Sequence, residues 1–491
     1  MAGVVAVFGV LLFILRIINS SPGITPPSTV LNGIEQLFDL KDDSVLAITL
    51  ANISTNSAKQ THSSEVYERY NISEMHQKFP GIDWRRYISI IRGERINDSE
   101  IVGMIAKDYY SNLSQVLSKQ PKLNIVNYLM GRFALFLIKQ FTADHIYTDE
   151  SRWEMNCVEK VMKYFDLPAA AIFGEVFMKR KRRKDAIRMT KEFKADLGNI
   201  FTQSKWLDPE TKEMALKKLK NVKLRALGIE SKHYNRTLMS QIYSNVIVQK
   251  GTHFENSISV LKSFAQREQW EVYSLDLYSP TPPLTTVNAQ LDISTNRIFV
   301  GAGSLIPPFY HLNYAHFQKY AILGFLIGHE ITHAFDNFGH KFDHNGELRN
   351  WWAEDTLKEL HKRLNCLVEY FNGNEEVDAH FSLNENIADN VGISLAFRAY
   401  QKWLGNNPGS RPAEFIPQLR NRTSEQLFFI AFAQSQCTDD TDTIDDAVNT
   451  DRHINNKGRV IASLANLPQF SDIFTCPSGS PMNPQKKCVI W

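Results

Sequence analysis

Between Gly324 and Asp336 the chain reads GFLIGHEITHAFD, and its centre, His329-Glu330-Ile331-Thr332-His333, sets two imidazoles four residues apart with a carboxylate beside the first. On an α-helix, residues four apart share a face, so both rings can meet one cation while Glu330 stands beside them as a proton acceptor. Ile322, Leu323, Phe325, Leu326 and Ile327 lead into the pair, as expected of a helix buried on most sides. The spacing alone would also suit two polar histidines on a helix surface. A catalytic zinc needs three protein ligands and an open position for water, so a third ligand has to come from another element. The stretch LNENIADNVGISLAF offers Glu385 and, four residues later, Asp389, on a second helix whose Leu383, Ile387 and Val391 face a core. A ligand carboxylate followed one turn on by an acid that can orient a ligand imidazole is the pairing such sites use. Without the first motif, the two acids would read as solvated residues.

The elements that must position these groups fall into two kinds. After a linker, SSPGITPPST, the chain from Val30 to about Lys250 is mostly helical in pattern. In WLDPETKEMALKKLKNVK, for example, Asp208 can cap, Pro209 suits the first helical position, and Leu216, Leu219 and Val222 recur at helical spacing. Between Asp292 and Tyr310 the pattern changes to strand and turn, with Ile298, Phe299 and Val300 before Gly and Pro punctuation, and helical patterns resume near His316. The expected fold is mainly α with a smaller α+β part. Residues 1–21 form an apolar leader, 22–250 a mostly helical region, and 251–491 the region that holds the chemistry.

Composition narrows the function classes. The chain has 491 residues, and its 55 basic and 53 acidic residues leave a net charge of +2, so no global field favours nucleic acid. The basic run KRKRRK at 179–184 reads as a solvated helix face. The opening run MAGVVAVFGVLLFIL is short for a membrane span and suits either a signal peptide or, through residues 2–18, an uncleaved anchor. Asn-x-Ser/Thr acceptors at Asn52, Asn71, Asn97, Asn112, Asn235 and Asn421 agree with a secreted or cell-surface glycoprotein. The five cysteines, Cys157, Cys366, Cys437, Cys476 and Cys488, lie too far apart for a metal knuckle, and their odd number leaves at least one unpaired.

GHEITHAFD followed by ENIADNVG resembles the neprilysin and endothelin-converting-enzyme family of zinc metallopeptidases, relatives of thermolysin. VNAQLD from Val287, NRIFVGAGSLIPPFY from Asn296, FDHNGELRNWW from Phe342 and CPSGSPMNPQKKCVIW at the C-terminus agree with it. The resemblance implies a thermolysin-like catalytic region and a helical covering region that enclose a central cavity. It implies one zinc ion held by His329, His333 and Glu385, with Glu330 as general base and Asp389 behind a zinc-bound histidine, His329. By the same resemblance His453 stabilises the oxyanion, Arg459 hydrogen-bonds substrate backbone, and Asn288 with the Ala289 backbone pairs with an extended peptide. Small oligopeptides outside the cell are then the substrates.

The chain also departs from that family. The family's long N-terminal extracellular segment is replaced by the apolar run, which points to a shortened or diverged chain. By resemblance Cys366 pairs with Cys488, whereas the partners of Cys157, Cys437 and Cys476 would lie in the missing segment. Phe309 and Leu326 keep the apolar side of the pocket after the scissile bond, but Gln290, Ser304 and Gln436 stand where the family carries apolar residues. An altered preference for large apolar side chains is expected. The alternative reading is a peptide-binding chain that keeps the zinc site without turnover.

Overall fold

In the computed structural model the described residues are 46, 48–50, 52–53, 67–92, 94–105, 107–133, 150–177, 180–227, 236–271, 285–372, 379–408, 421–437 and 453–491. The apolar leader, the linker, Asn235 and most of the acidic stretch CTDDTDTIDD lie outside them. The fold is mainly helical. Among the described residues no helix is long and apolar enough to cross a membrane. The chain forms two compact units, and each is built from two stretches of sequence: residues up to Tyr164 with 242–279, and residues 165–241 with 280–491.

The first unit opens with an antiparallel pair, β1 (Tyr67–Asn71) and β2 (Ile101–Ile105), in which Arg69 faces Gly103. Helix α1 (Ile72–Lys78) starts from a capping box: the Asn71 side chain accepts from the Glu74 amide, and the Glu74 carboxylate accepts from the Asn71 amide, each at 2.8 Å. With α2 (Trp84–Arg92) these elements bury Tyr70, Ile72, Met75, Phe79, Trp84, Ile96 and Met104. Asn71 is therefore a helix cap, half-buried, whereas Asn52, Asn97 and Asn112 are exposed.

In the second unit α3 (Arg180–Gln203) lies along the core through Ala186, Met189, Phe193, Leu197 and Phe201. Its basic start is only partly solvated: Arg182 is buried and its guanidinium donates to the Leu305 carbonyl at 3.0 Å. Residues four and seven beyond Arg182, Ala186 and Met189, belong to the apolar stripe, so Arg182 shares its face, which a count of charges cannot reveal. Helix α4 (Pro209–Asn221) is capped as its sequence requires, the Asp208 carboxylate accepting from the Glu210 and Thr211 amides with Pro209 at the first position. It is followed by a strand, β3 (Lys223–Leu227), inside the region read as mostly helical. This strand pairs in parallel with β5 (Arg297–Val300), and β5 pairs antiparallel with β4 (Ala289–Asp292), giving the order β3-β5-β4 with β4 at an edge.

The helix carrying the two histidines, α5 (Phe325–His333), grows out of a single π turn, Tyr320–Gly324. Such turns insert one residue into the helical register and are frequent at functional sites. Phe325, Ile327 and Ile331 are buried, each contributing roughly 1.5–3 kcal/mol. Below them lie α6 (Glu354–Phe371), α7 (Leu383–Asn406), α8 (Ser424–Ser435) and α9 (Asn456–Asn466). Helices α5 and α7 touch backbone to backbone. A Cβ on Gly328 would lie 2.8 Å from the Gly392 carbonyl oxygen, and one on Gly392 would lie 2.7 Å from the His329 amide nitrogen. Only glycine permits that approach.

Candidate metal centre

Because α5 and α7 meet at two glycines, Glu385 and Asp389 on α7 reach the histidines of α5. The Nε2 atoms of His329 and His333 lie 3.0 Å apart, and Glu385 Oε2 lies 3.2 Å from the first and 3.4 Å from the second. His453, just before α9, brings its Nε2 within 3.0 Å of the same oxygen. Despite these short distances Glu385 Oε2 makes no well-oriented hydrogen bond.

The outer ring nitrogens are held. His329 Nδ1 lies 2.9 Å from Asp389 Oδ1, and His333 Nδ1 lies 2.7 Å from Asp336 Oδ2. A proton on each Nδ1 donates to its carboxylate and leaves the Nε2 lone pair aimed at the centre, the tautomer a metal ligand needs. Asp389 in turn accepts from Arg459 through both oxygens, at 2.7 and 2.6 Å. Asp336 accepts at Oδ1 from the Phe338 and Gly339 amides, at 2.8 and 2.6 Å.

The electrostatics favour a cation. Burial acts upward on Glu385, but the imidazoles of His329, His333 and His453 more than offset it and hold the carboxyl far below its ordinary range. Burial also acts upward on Asp389, and Arg459 with His329 holds it well down. Burial opposes charge on both histidines, yet Asp389 and Glu385 raise His329, and Asp336 and Glu385 raise His333 further. Glu330, 4% exposed, moves up chiefly by burial, with the two histidines opposing; the Leu291 amide of β4 donates to it. Four carboxylates thus gather around three imidazoles and one guanidinium. Two imidazole nitrogens and a carboxylate oxygen within 4.8 Å of one another match the donor set of a zinc site with an open position. The convergence of an unsatisfied carboxylate oxygen with lone pairs makes the fit to a divalent cation physical as well as compositional.

A cleft of about 480 Å³ opens over these groups. Asn288, Ala289, Phe309, Leu326, Glu330, His453 and Arg459 line it, together with Gln290, Ser304 and Gln436. Asn288 is exposed and its side chain accepts from the Ala289 amide at 2.8 Å. Arg459 faces the cleft while bound to Asp389, so its placement depends on that acid. Asp336 was missed at the level of sequence. Its signal, an acid three residues after the second histidine in HAFD, is short and ordinary. Cys366 and Cys488 are disulfide-bonded, and Cys157, Cys437 and Cys476 are free.

Comparison with known proteins decides the family. Two models described as peptidase family M13 match residues 34–227 and 288–490, the second spanning every residue of the metal centre. The chain belongs to peptidase family M13. Among family relatives, endothelin-converting enzyme 1 of Rattus norvegicus is 29% identical over 477 residues, covering 90% of this chain and 60% of the relative. Membrane metallo-endopeptidase-like 1 of Mus musculus is 30% identical over 480 residues, covering 90% and 61%. The crystal structure of a zinc metalloprotease of Mycobacterium tuberculosis with an inhibitor shares the M13 fold at a TM-score of 0.71 and 20% identity, covering 92% of this chain and 71% of that one. The chain therefore spans about 60% of the length of the curated M13 relatives it matches.

Proposed function

We propose that this chain is a zinc-dependent endopeptidase that hydrolyses small extracellular peptides. The observation that carries the reading is the convergence of His329, His333 and Glu385, each histidine backed by a carboxylate, beside the buried acid Glu330. His329, His333 and Glu385 would hold the ion. A zinc ion bound there supplies Lewis acidity, which activates water near neutral pH and polarises a carbonyl.

The chain's own residues do the rest. Glu330 takes the proton of the attacking water and delivers it to the departing amine; its upward-shifted pKa suits both tasks. His453 donates to the oxygen on which negative charge develops, worth roughly 3–4 kcal/mol for one such donor. Edge strand β4, with Asn288 before it, offers an extended peptide a strand to pair with, and Arg459 faces the peptide backbone. Phe309 and Leu326 receive the side chain after the scissile bond, with Ser304 and Gln436 making that pocket more polar.

The test is cleavage of a quenched oligopeptide by the purified, zinc-loaded chain and by Glu330→Gln. Glu330→Gln is expected to keep zinc and lose about 10²–10⁴-fold in kcat. Undiminished turnover in that variant removes Glu330 as base. A folded, zinc-loaded wild type with no turnover favours a peptide-binding chain instead.

A further inference from the structure

Lys218, on the inner face of α4, is fully buried, and its ammonium donates to two main-chain carbonyls, Gly339 and Phe342, each at 2.6 Å. A buried ammonium is costly, so one that satisfies itself on carbonyls marks a place where backbone must be held. The turn it holds is the one that supports Asp336. The Gly339 amide donates to Asp336 Oδ1 at 2.6 Å, and the next amide, His340, donates to the Asp336 carbonyl at 3.1 Å. Lys218 binds the carbonyl of that same Gly339–His340 peptide. The turn also presses close on the second histidine: a Cβ on Gly339 would fall 1.8 Å from the His333 carbonyl oxygen. The buried Trp351 and Trp352 also donate to Phe342 and His340, at 3.0 and 2.8 Å, so three side chains hold the carbonyls of this loop.

We propose that Lys218 is a positioning residue for the metal: it fixes the turn whose amides aim Asp336 at His333, and so sets how well His333 binds zinc. Asp336 and Asp343 face the ammonium from the loop and oppose the effect of burial, which brings its pKa down to about 7. The inference rests on the reading of His329, His333 and Glu385 as zinc ligands.

The experiment is a double-mutant cycle on the full chain, with zinc affinity read by competition against a chromogenic chelator and the stability of the zinc-free protein read by denaturant titration. Lys218→Met, which keeps the length of the side chain, is expected to weaken zinc binding about tenfold, at the low end for groups that support a ligand. In an Asp336→Asn background the same substitution is expected to change zinc affinity less than about twofold, because the path to His333 is already broken. Unchanged affinity in Lys218→Met, or the full loss repeated on top of Asp336→Asn, overturns the proposal and leaves Lys218 as loop packing alone. If Lys218→Met does not fold, Lys218→Gln, which keeps an amide donor, enters the cycle with the same criteria. A wild-type chain that takes up no zinc refutes the ligand assignment itself, an outcome distinct from either.

Discussion

The two sides of the metal centre do the same task by different means. On the His329 side the supporting acid, Asp389, comes from a helix 60 residues away, and its charge is matched by the Arg459 guanidinium, 70 residues further on. On the His333 side the acid is three residues away, Asp336, and its charge is met by two backbone amides and, beyond them, by a buried lysine. The first arrangement depends on the packing of α5, α7 and α9; the second depends on one turn being held in shape. One acid relies on a cation and the other on dipoles, and the two should fail differently.

Glu385→Ala sets the upper end of the scale. It removes a proposed ligand rather than a support, and zinc affinity is expected to fall by more than the roughly 10–100-fold typical of supporting groups; a smaller loss in chelator competition would mean that another side chain had taken its place. Asp389→Asn and Asp336→Asn test the contrast itself. Both are expected to lose roughly 10–100-fold in zinc affinity. Asp389→Asn also removes the carboxylate charge that Arg459, whose side chain is 15% exposed, bonds through two nitrogens, and should cost about 3–5 kcal/mol of stability. Asp336→Asn keeps an oxygen for the Phe338 and Gly339 amides and should cost about 1–3 kcal/mol. Equal stability losses in denaturant titrations would erase the distinction.

Acid sensitivity follows from what both sides share. In the proposed mechanism Glu330 must be ionised to act as base, and burial raises its pKa, so kcat/KM should fall about tenfold per pH unit on an acid limb lying above the ordinary glutamate range. Zinc content measured along the same series separates this from loss of metal through protonation of His329 and His333. The smallest effect is a control on α4, which carries Lys218. Asp208→Ala removes a helix cap and should cost about 1 kcal/mol without changing zinc affinity. Burial raises the Asp208 pKa, but bonds from Thr211, Thr356 and Glu210 bring it down to about 2 from 3.8. The cap's contribution is therefore complete above about pH 4 and lost as the pH falls toward 2, so the deficit of the variant should shrink over that window.

The His329 side was legible in the sequence because its parts are spaced by helix geometry: histidines four apart, then acids four apart, each pair preceded by apolar residues. The capping of α4 was legible for a similar reason, since Asp208-Pro209 is a local signal with a local cause. The His333 side was not. An acid three residues past a histidine occurs at many helix ends, and Lys218 sits in KKLK between other lysines that look equally solvated. Which lysine turns inward is decided by the loop at 339–342, more than a hundred residues away in sequence. Strand β3 escaped for the same reason: its partner β5 lies far along the chain, beyond β4, and gives KLRAL its strand character through pairing. The glycine contact of α5 and α7 was likewise invisible, as each glycine alone looks like a minor weakness in a helix.

That contact bears on how firmly the candidate site is held. With no side chain between the two helices at Gly328 and Gly392, the separation of Glu385 from the histidines is fixed by main-chain atoms, and repacking elsewhere in the core has little leverage on it. A single methyl at residue 392 would force the rods apart at the His329 amide. Metal–ligand bonds of about 2.0–2.1 Å tolerate little displacement of a donor, so the two glycines keep Glu385 and the histidines within reach of one another.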